Sequence, residues 1–384
     1  MIAEFYVPTK IILGEGAVQK LGELTRAFGR RVLVFGSPTE RFRDLLDSQL
    51  RINGETYFYY PVTGEPTVEG VLKAIEFGRE KHADVIIGIG GGSVLDTAKA
   101  VSGLLANEGD LYDYLEVIGK GQSMTKAALP FIAIPTTAGT GTEVTKNAVI
   151  GDPEQKVKVS LRSPLICPRV AIVDPELTIQ NPPQVTAQSG MDALTQLIEP
   201  FVSNQPNDIV DALCRDGIRR ASRALPKAYR NPIDREARRE LAIASLFSGI
   251  ALANAKLGAV HGFAGVLGGM YGAPHGAICA ALLPAAIEVN LSILIERFPN
   301  SQYLKRYREL AQILDLRDEK ELVDWARNLN SQMLIPSLAE LGVKREDFEI
   351  IATKAAKASS MKGNPVTLTK PEMFTILEKA MGAG

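Results

Sequence analysis

Two histidines carry the first hint of chemistry. His261 stands in Val260-His-Gly-Phe263 and His275 in Ala273-Pro-His-Gly276, 14 residues apart, in a 384-residue chain with three histidines in all. Upstream, Gly190-Met-Asp-Ala-Leu-Thr-Gln-Leu-Ile-Glu199 has a helical pattern that puts Asp192 and Gln196 one turn apart on a shared face. Leu194, Leu197 and Ile198 form a different, buried face. A carboxylate with two imidazoles is a common catalytic metal set, because it holds a divalent ion and leaves a position open for substrate. Spacing alone leaves a plainer reading open, with both histidines as hydrogen-bonded core residues and Asp192 as a helix-surface charge. His82, in a Lys- and Glu-rich stretch, reads as solvated surface. The three cysteines, Cys167, Cys214 and Cys279, include no CxxC pair, so neither a disulfide framework nor a cysteine zinc site is expected. Cys279, between Ile278 and Ala280, reads as part of a packed helix.

A second set of residues suits phosphate. Gly90, Gly91, Gly92 and Ser93 follow the apolar run Ala83–Ile89, and Val94–Ala100 then opens a helical pattern. Glycines let the backbone approach an anion, and the amides of a helix start attract one. The motif is neither GxGxxG nor a P-loop, so a ligand-free strand-to-helix turn stays open. The segment Pro135–Thr145 also follows a strand-like run and holds five threonines and two glycines in eleven residues. Two such loops at the carboxyl ends of strands point to a nucleotide site. Gly91, Gly92 and Ser93 are expected at the pyrophosphate, with Thr136, Thr137 and Thr140 lining the other side. Dinucleotide sites often place an acidic residue at the end of the second strand to bind the ribose 2′-hydroxyl. Here the run Val32–Phe35 ends in Gly36-Ser37-Pro38, with no carboxylate until Glu40, and Arg41 and Arg43 follow. That loop leaves room for a 2′-phosphate, so NADPH is expected to be accepted and preferred over NADH, with NAD still possible.

The elements that must position these residues fall into two halves. Arg31–Gly36, Ala83–Ile89, Phe131–Ile134 and Val170–Val173 are β-branched runs of the kind buried in parallel sheets, separated by amphipathic stretches such as Val68–Lys81. This alternation predicts a Rossmann-like, doubly wound α/β domain over residues 1–180. After Asn181-Pro-Pro183 helical periodicity takes over, in Ala187–Val202, Asp208–Ala224, Arg235–Ala255, Ile287–Phe298 and Gln302–Leu314, and predicts an all-helical domain over 181–384. A net charge of −1 offers no field for nucleic acid or an anionic membrane. The apolar stretches read as shorter than the about 18 to 20 residues of a membrane span. The opening MIAEFYVPTK has no apolar signal region, which makes the cytoplasm the default location.

The motifs GGGSVLDTAKA, PTTAGTGTEVT, AIVDPEL, GMDALTQLIE and HGFAGVLGGMYGAPHG, in this order, resemble the iron-containing (group III) alcohol dehydrogenases over essentially the whole chain. The resemblance implies a dehydroquinate-synthase-like architecture, with an α/β nucleotide domain, a helical domain, and a metal in the cleft between them. It implies Asp192, Gln196, His261 and His275 as metal ligands, with Fe2+ or Zn2+ as the ion. It extends the NAD(P)-contacting set to Asp96, Thr142 and Lys158, and implies a homo-oligomer such as a dimer. Gln196 stands where the family usually has a histidine ligand, and Gly265 where many members have a further, non-ligand histidine. The implied reaction is hydride transfer between a nicotinamide and a small alcohol or aldehyde. It needs no covalent nucleophile, which leaves Cys279 without a catalytic role. Three alternatives stay open: a metal-independent reductase of the maleylacetate reductase type, a non-redox lyase, and a ligand-binding protein on the same fold.

Overall fold

The computed structural model describes residues 4–39, 41–51 and 56–382, which form two compact units. One unit comprises Val7–Thr137 and Gly141–Ile179. Among the described residues, the other takes 4–6, the short segment Ala138–Thr140, and 180–382.

The first unit contains strands β1 (Lys10–Leu13), β2 (Arg31–Gly36), β3 (Thr56–Pro61), β4 (Val85–Gly90), β5 (Phe131–Pro135), β6 (Asn147–Asp152), β7 (Val157–Arg162) and β8 (Val170–Val173). Its helices are α1 (Leu21–Arg26), α2 (Arg43–Leu50), α3 (Val68–Glu80), α4 (Gly92–Ala106) and α5 (Leu111–Tyr114). Six strands form one parallel sheet in the order β1-β8-β5-β4-β2-β3, and β6 pairs with β7 in an antiparallel hairpin. Successive residues of β2 enter two different cores. Leu33 and Phe35 join Val71, Ile75 and Leu104 on one face, while Val32 and Val34 join Leu21, Leu46 and Leu50 on the other. Both faces are therefore dry, which is why the central strands are continuous apolar runs instead of alternating ones.

Beyond Val173 the described residues contain helices and no strands. The helices are α6 (Pro183–Val202), α7 (Asp208–Arg230), α8 (Arg235–Asn254), α9 (Ala259–Tyr271), α10 (His275–Arg297), α11 (Gln302–Ile313), α12 (Glu321–Gln332), α13 (Phe348–Ala355) and α14 (Lys370–Ala380). Helix α10 begins twelve residues earlier than the Ile287 read from periodicity, and Pro284 lies inside it. A proline nitrogen cannot donate to the carbonyl four residues back. That carbonyl, Ala280 O, instead accepts from Asn330 Nδ2 of α12 at 2.6 Å. The longer helix also corrects the expectation about apolar length. α10 has 23 residues and is apolar enough to cross a membrane by length and composition, but 78% of its apolar window is buried among its neighbours. It is the core helix of this unit.

Candidate metal and cofactor sites

Three helices bring the metal-type residues together. Asp192 lies mid-way along α6, His261 in the first turn of α9, and His275 at the first position of α10. The approach of α10 to α6 depends on Gly276. A Cβ there would lie 2.2 Å from Gln188 O, so any side chain would push His275 away from Asp192. Asp192 Oδ1 is 3.4 Å from His261 Nε2 and 3.6 Å from His275 Nε2. Asp192 is buried, and its Oδ1 has no hydrogen-bond partner. A buried carboxylate oxygen without a donor is costly unless something positive sits beside it. This orphaned atom, facing two imidazole nitrogens, fits a divalent cation.

A carboxylate that the sequence reading missed sets the orientation of His261. Glu199 Oε2 is 2.6 Å from His261 Nδ1, and Glu199 Oε1 accepts from Val260 N at 2.7 Å. The Nδ1 proton is thereby held on the Glu199 side, leaving the Nε2 lone pair for a metal. The visible signal was the spacing of seven from Asp192, two helical turns along the same face of α6. Burial opposes charge on both imidazoles. For His261 the attraction of Cys279 and Glu199 outweighs it, and for His275 that of Cys279 and Asp192 does, so both are raised above the usual histidine range. Burial likewise pushes Asp192 up, but His275 and His261 pull it below the ordinary carboxylate value.

The other residues at this site have partners of their own. Gln196, expected as a fourth ligand, commits its amide nitrogen to Thr140 O at 2.9 Å and Ser248 Oγ at 3.2 Å. Cys279, expected only to pack, does lie buried in α10. One turn after His275, however, its sulfur sits 3.7 Å from His275 Nε2 and 3.9 Å from His261 Nε2. The four ligand-type atoms of Asp192, His261, His275 and Cys279 all lie within 4.8 Å of one another. A Cβ at Gly265 would meet nothing within 4 Å, so that position is open space.

The phosphate-type residues gather in the sheet unit. Gly36 pairs with Ile89, and Gly90 with Pro135, so the carboxyl ends of β2, β4 and β5 lie side by side. From β2 the chain goes to β3 on one side and then to β4 on the other. This reversal of strand order is where open α/β sheets bind ligands. Gly91 caps the 15-residue α4 with no side-chain hydrogen bond, so the amides of the first turn have no side-chain acceptor there. They fit a pyrophosphate. Gly91 has φ −76°, which any residue adopts, and a Cβ would stand 3.4 Å from the Thr137 side chain. Its lack of a side chain keeps space open. Gly90 and Gly36 have packing reasons instead, since a Cβ would come 2.5 Å from Val94 and 2.3 Å from Tyr59 Oη. Gly91→Val is therefore expected to leave the thermal midpoint nearly unchanged. The cofactor dissociation constant should rise at least tenfold, about 1.4 kcal/mol. An unchanged constant in a fluorescence titration would put the phosphates elsewhere.

Several of the proposed cofactor contacts are engaged inside the protein. Asp96 accepts from Thr142 Oγ1 at 2.5 Å and Val149 N at 3.0 Å. The fully buried Lys99 ammonium shares its three protons among four acceptors, Thr142 O and Oγ1, Thr145 Oγ1 and Asn147 O, at 2.7 to 2.9 Å. These bonds fix the loop that carries Thr136 and Thr137. Lys158, on β7, lies 3.4 Å from the Glu65 carboxylate. After β2, Ser37 Oγ shares a hydrogen bond with Thr39 Oγ1 at 2.9 Å, and Tyr59 Oη donates to Ser37 O at 2.6 Å. Arg41 stacks over Phe42 and donates to Leu177 O at 3.3 Å. Glu40 lies outside the described residues.

Comparison with known proteins bears on both sites at once. Residues 8–175 match the family described as iron-containing alcohol dehydrogenase, and residues 186–381 match the C-terminal region of the Fe-containing alcohol dehydrogenase family. Alcohol dehydrogenase 4 of Saccharomyces cerevisiae is 35% identical, over 99% of this chain and 98% of its own. The NAD-dependent methanol dehydrogenase of Bacillus methanolicus is 32% identical, over 99% of this chain and 100% of its own. The solved iron-containing alcohol dehydrogenase of Thermococcus thioreducens superposes with a TM-score of 0.89 at 30% identity, covering 98% of this chain and 99% of that one. With both halves of its length matched and the aspartate and two histidines gathered in the helical half, the chain belongs to the iron-containing alcohol dehydrogenase family.

Proposed function

We propose that this dehydrogenase reduces a small aldehyde with NADPH in preference to NADH, and that Asp192, His261 and His275 hold a divalent ion, Fe2+ or Zn2+, at the substrate oxygen. The observation that carries the metal reading is the orphaned, buried Asp192 Oδ1 facing the two Nε2 atoms. When bound, such an ion polarises a carbonyl and stabilises an alkoxide. The chain itself supplies orientation and charge. Glu199 keeps the His261 lone pair available. The first turn of α4, with Gly91, Gly92 and Ser93, receives the pyrophosphate, and Thr136 and Thr137 line the opposite side. A bound nicotinamide would supply or accept the hydride, so positioning is the main demand on the protein. The space at Gly265 leaves proton delivery to water or to the cofactor ribose.

The cofactor preference rests on the loop after β2, where Gly36, Ser37, Pro38 and Thr39 bring no carboxylate. A carboxylate would repel a 2′-phosphate, while the Ser37 hydroxyl can donate to it, and Arg41 and Arg43 follow closely. One relative carries NAD in its name, so both cofactors enter the test. Catalytic efficiency is measured with NADPH and NADH at saturating aldehyde, in wild type and in Ser37→Asp. Wild type should favour NADPH, and the substitution should shift the ratio about tenfold or more toward NADH, which corresponds to about 1.4 kcal/mol. A wild type about tenfold better with NADH, and indifferent to Ser37→Asp, would show that this loop does not read the 2′ position.

A further inference from the structure

We propose that Cys279 is a ligand of the metal ion, so that the set is Asp192, His261, His275 and Cys279, with Gln196 serving another purpose. The inference rests on the reading that a divalent ion occupies the Asp192, His261 and His275 cluster, and it names the fourth protein donor of that site.

Distances carry the argument. Tetrahedral zinc has Zn–N of about 2.0 to 2.1 Å, Zn–O of about 2.0 to 2.2 Å and Zn–S of about 2.3 Å, so the tetrahedron's edges are about 3.3 Å from nitrogen to oxygen and about 3.6 Å from nitrogen to sulfur. The observed nitrogen–oxygen separations are 3.4 and 3.6 Å, and the nitrogen–sulfur separations are 3.7 and 3.9 Å. These four edges therefore exceed those of a closed tetrahedron by about 0.1 to 0.3 Å. Cys279 is fully buried, so its sulfur faces these groups and not solvent. Two imidazole nitrogens converge on one sulfur, and a thiol has a single proton, which can serve only one of them. Asp192 Oδ1, also buried, lacks any donor. One cation among the four atoms satisfies all of them at once.

With Cys279 as the fourth donor, the set is complete without Gln196. Its amide nitrogen is anchored to Thr140 O and Ser248 Oγ. The ligand position that the family's second histidine would fill on α6 is replaced by a residue one turn beyond His275 on α10. Metal binding releases the thiol proton to solvent and forms a metal–thiolate bond. A thiolate is a soft donor and favours zinc or cobalt over magnesium or manganese. With four protein donors, a substrate oxygen would be a fifth, an expansion that some catalytic zinc sites make in the transition state.

The test is a spectroscopic titration of metal-free protein with Co2+, in wild type, Cys279→Ser and Cys279→Ser/Gln196→His. Wild type should bind one cobalt per chain and show a thiolate-to-cobalt charge-transfer band in the near ultraviolet. Cys279→Ser should lose that band and weaken zinc at least tenfold in a chelator competition, and the added histidine should recover affinity without the band. Should the serine variant fold poorly, the wild-type spectrum decides alone. Stoichiometric cobalt with visible bands and no charge-transfer band, or a band that survives Cys279→Ser, overturns the role of Cys279 while leaving the Asp192 and histidine site standing. No cobalt binding by wild type overturns both.

Discussion

His275→Ala is expected to abolish metal binding and to lower kcat/KM by about 10³-fold or more, since Lewis-acid polarisation is worth several kcal/mol. The site tolerates the substitution structurally. His275 sits at the first position of α10, its side chain is about one-third exposed, and its partners across the site are ligand-type atoms and not core packing. The loss should therefore show as an empty site in a folded protein. Metal content by mass spectrometry and activity before and after chelation measure it together. Full activity in this variant, or in rigorously metal-free wild type, would sink the metal reading.

The second large effect is expected from a residue that touches no metal. Glu199→Gln keeps the shape of the side chain but cannot satisfy both of its neighbours. With the amide oxygen accepting from Val260 N, the amide nitrogen faces His261 Nδ1 and makes it an acceptor. The proton then moves to Nε2, the atom aimed at the ion. Flipping the amide restores Nδ1–H but sets an N–H against the Val260 N–H. Either outcome weakens metal binding, by about 10- to 100-fold as for other partners of metal-bound histidines. The metal-free variant should unfold near the wild-type temperature, which separates positioning from folding. Unchanged affinity would show that Glu199 does not set the His261 tautomer.

The parts of this protein that were legible in its sequence are those with one dominant local signal. β2, β4, β5 and β8 are buried on both faces, so β-branched residues run unbroken and announce them. The missing strands lack that signal. β1 is a four-residue edge strand with exposed ends, β3 is a half-buried edge strand rich in tyrosine, and β6 and β7 form a short hairpin whose buried apolar residues alternate with more exposed ones. α10 was truncated in the reading because glycine and proline crowd its first turns and Pro284 interrupts its middle, and the compensating donor, Asn330, is 50 residues away. The site shows the same division. Asp192, His261 and His275 were legible because their types are rare and chemically loaded. Glu199 and Cys279 were not, because a glutamate on a helix and a cysteine between apolar residues are ordinary until tertiary structure turns them toward an imidazole. The Gln196 amide nitrogen donates to Thr140 and Ser248, partners that no local pattern announces.

Those bonds have a consequence for how the chain can be made. The three residues Ala138–Thr140 belong to the helical unit although the chain on either side of them belongs to the sheet unit. Gln196 reaches Thr140 across 56 residues of chain, Ser248 reaches Gly139 across 109, and Asn254 reaches Tyr6 across 248. The helical half is thus a discontinuous domain. A ribosome completing the chain from Gln180 onward cannot finish that half from its own emerging segment, because part of it was synthesised long before. A fragment starting at Gln180 would leave the Gln196 amide without its carbonyl acceptor and Ser248 without one of its two, and a stranded buried group costs about 1 to 3 kcal/mol. Contacts of such long sequence separation also delay folding, since loop closure must precede them. The helical half is in this way not a module that truncation at Gln180 could isolate intact.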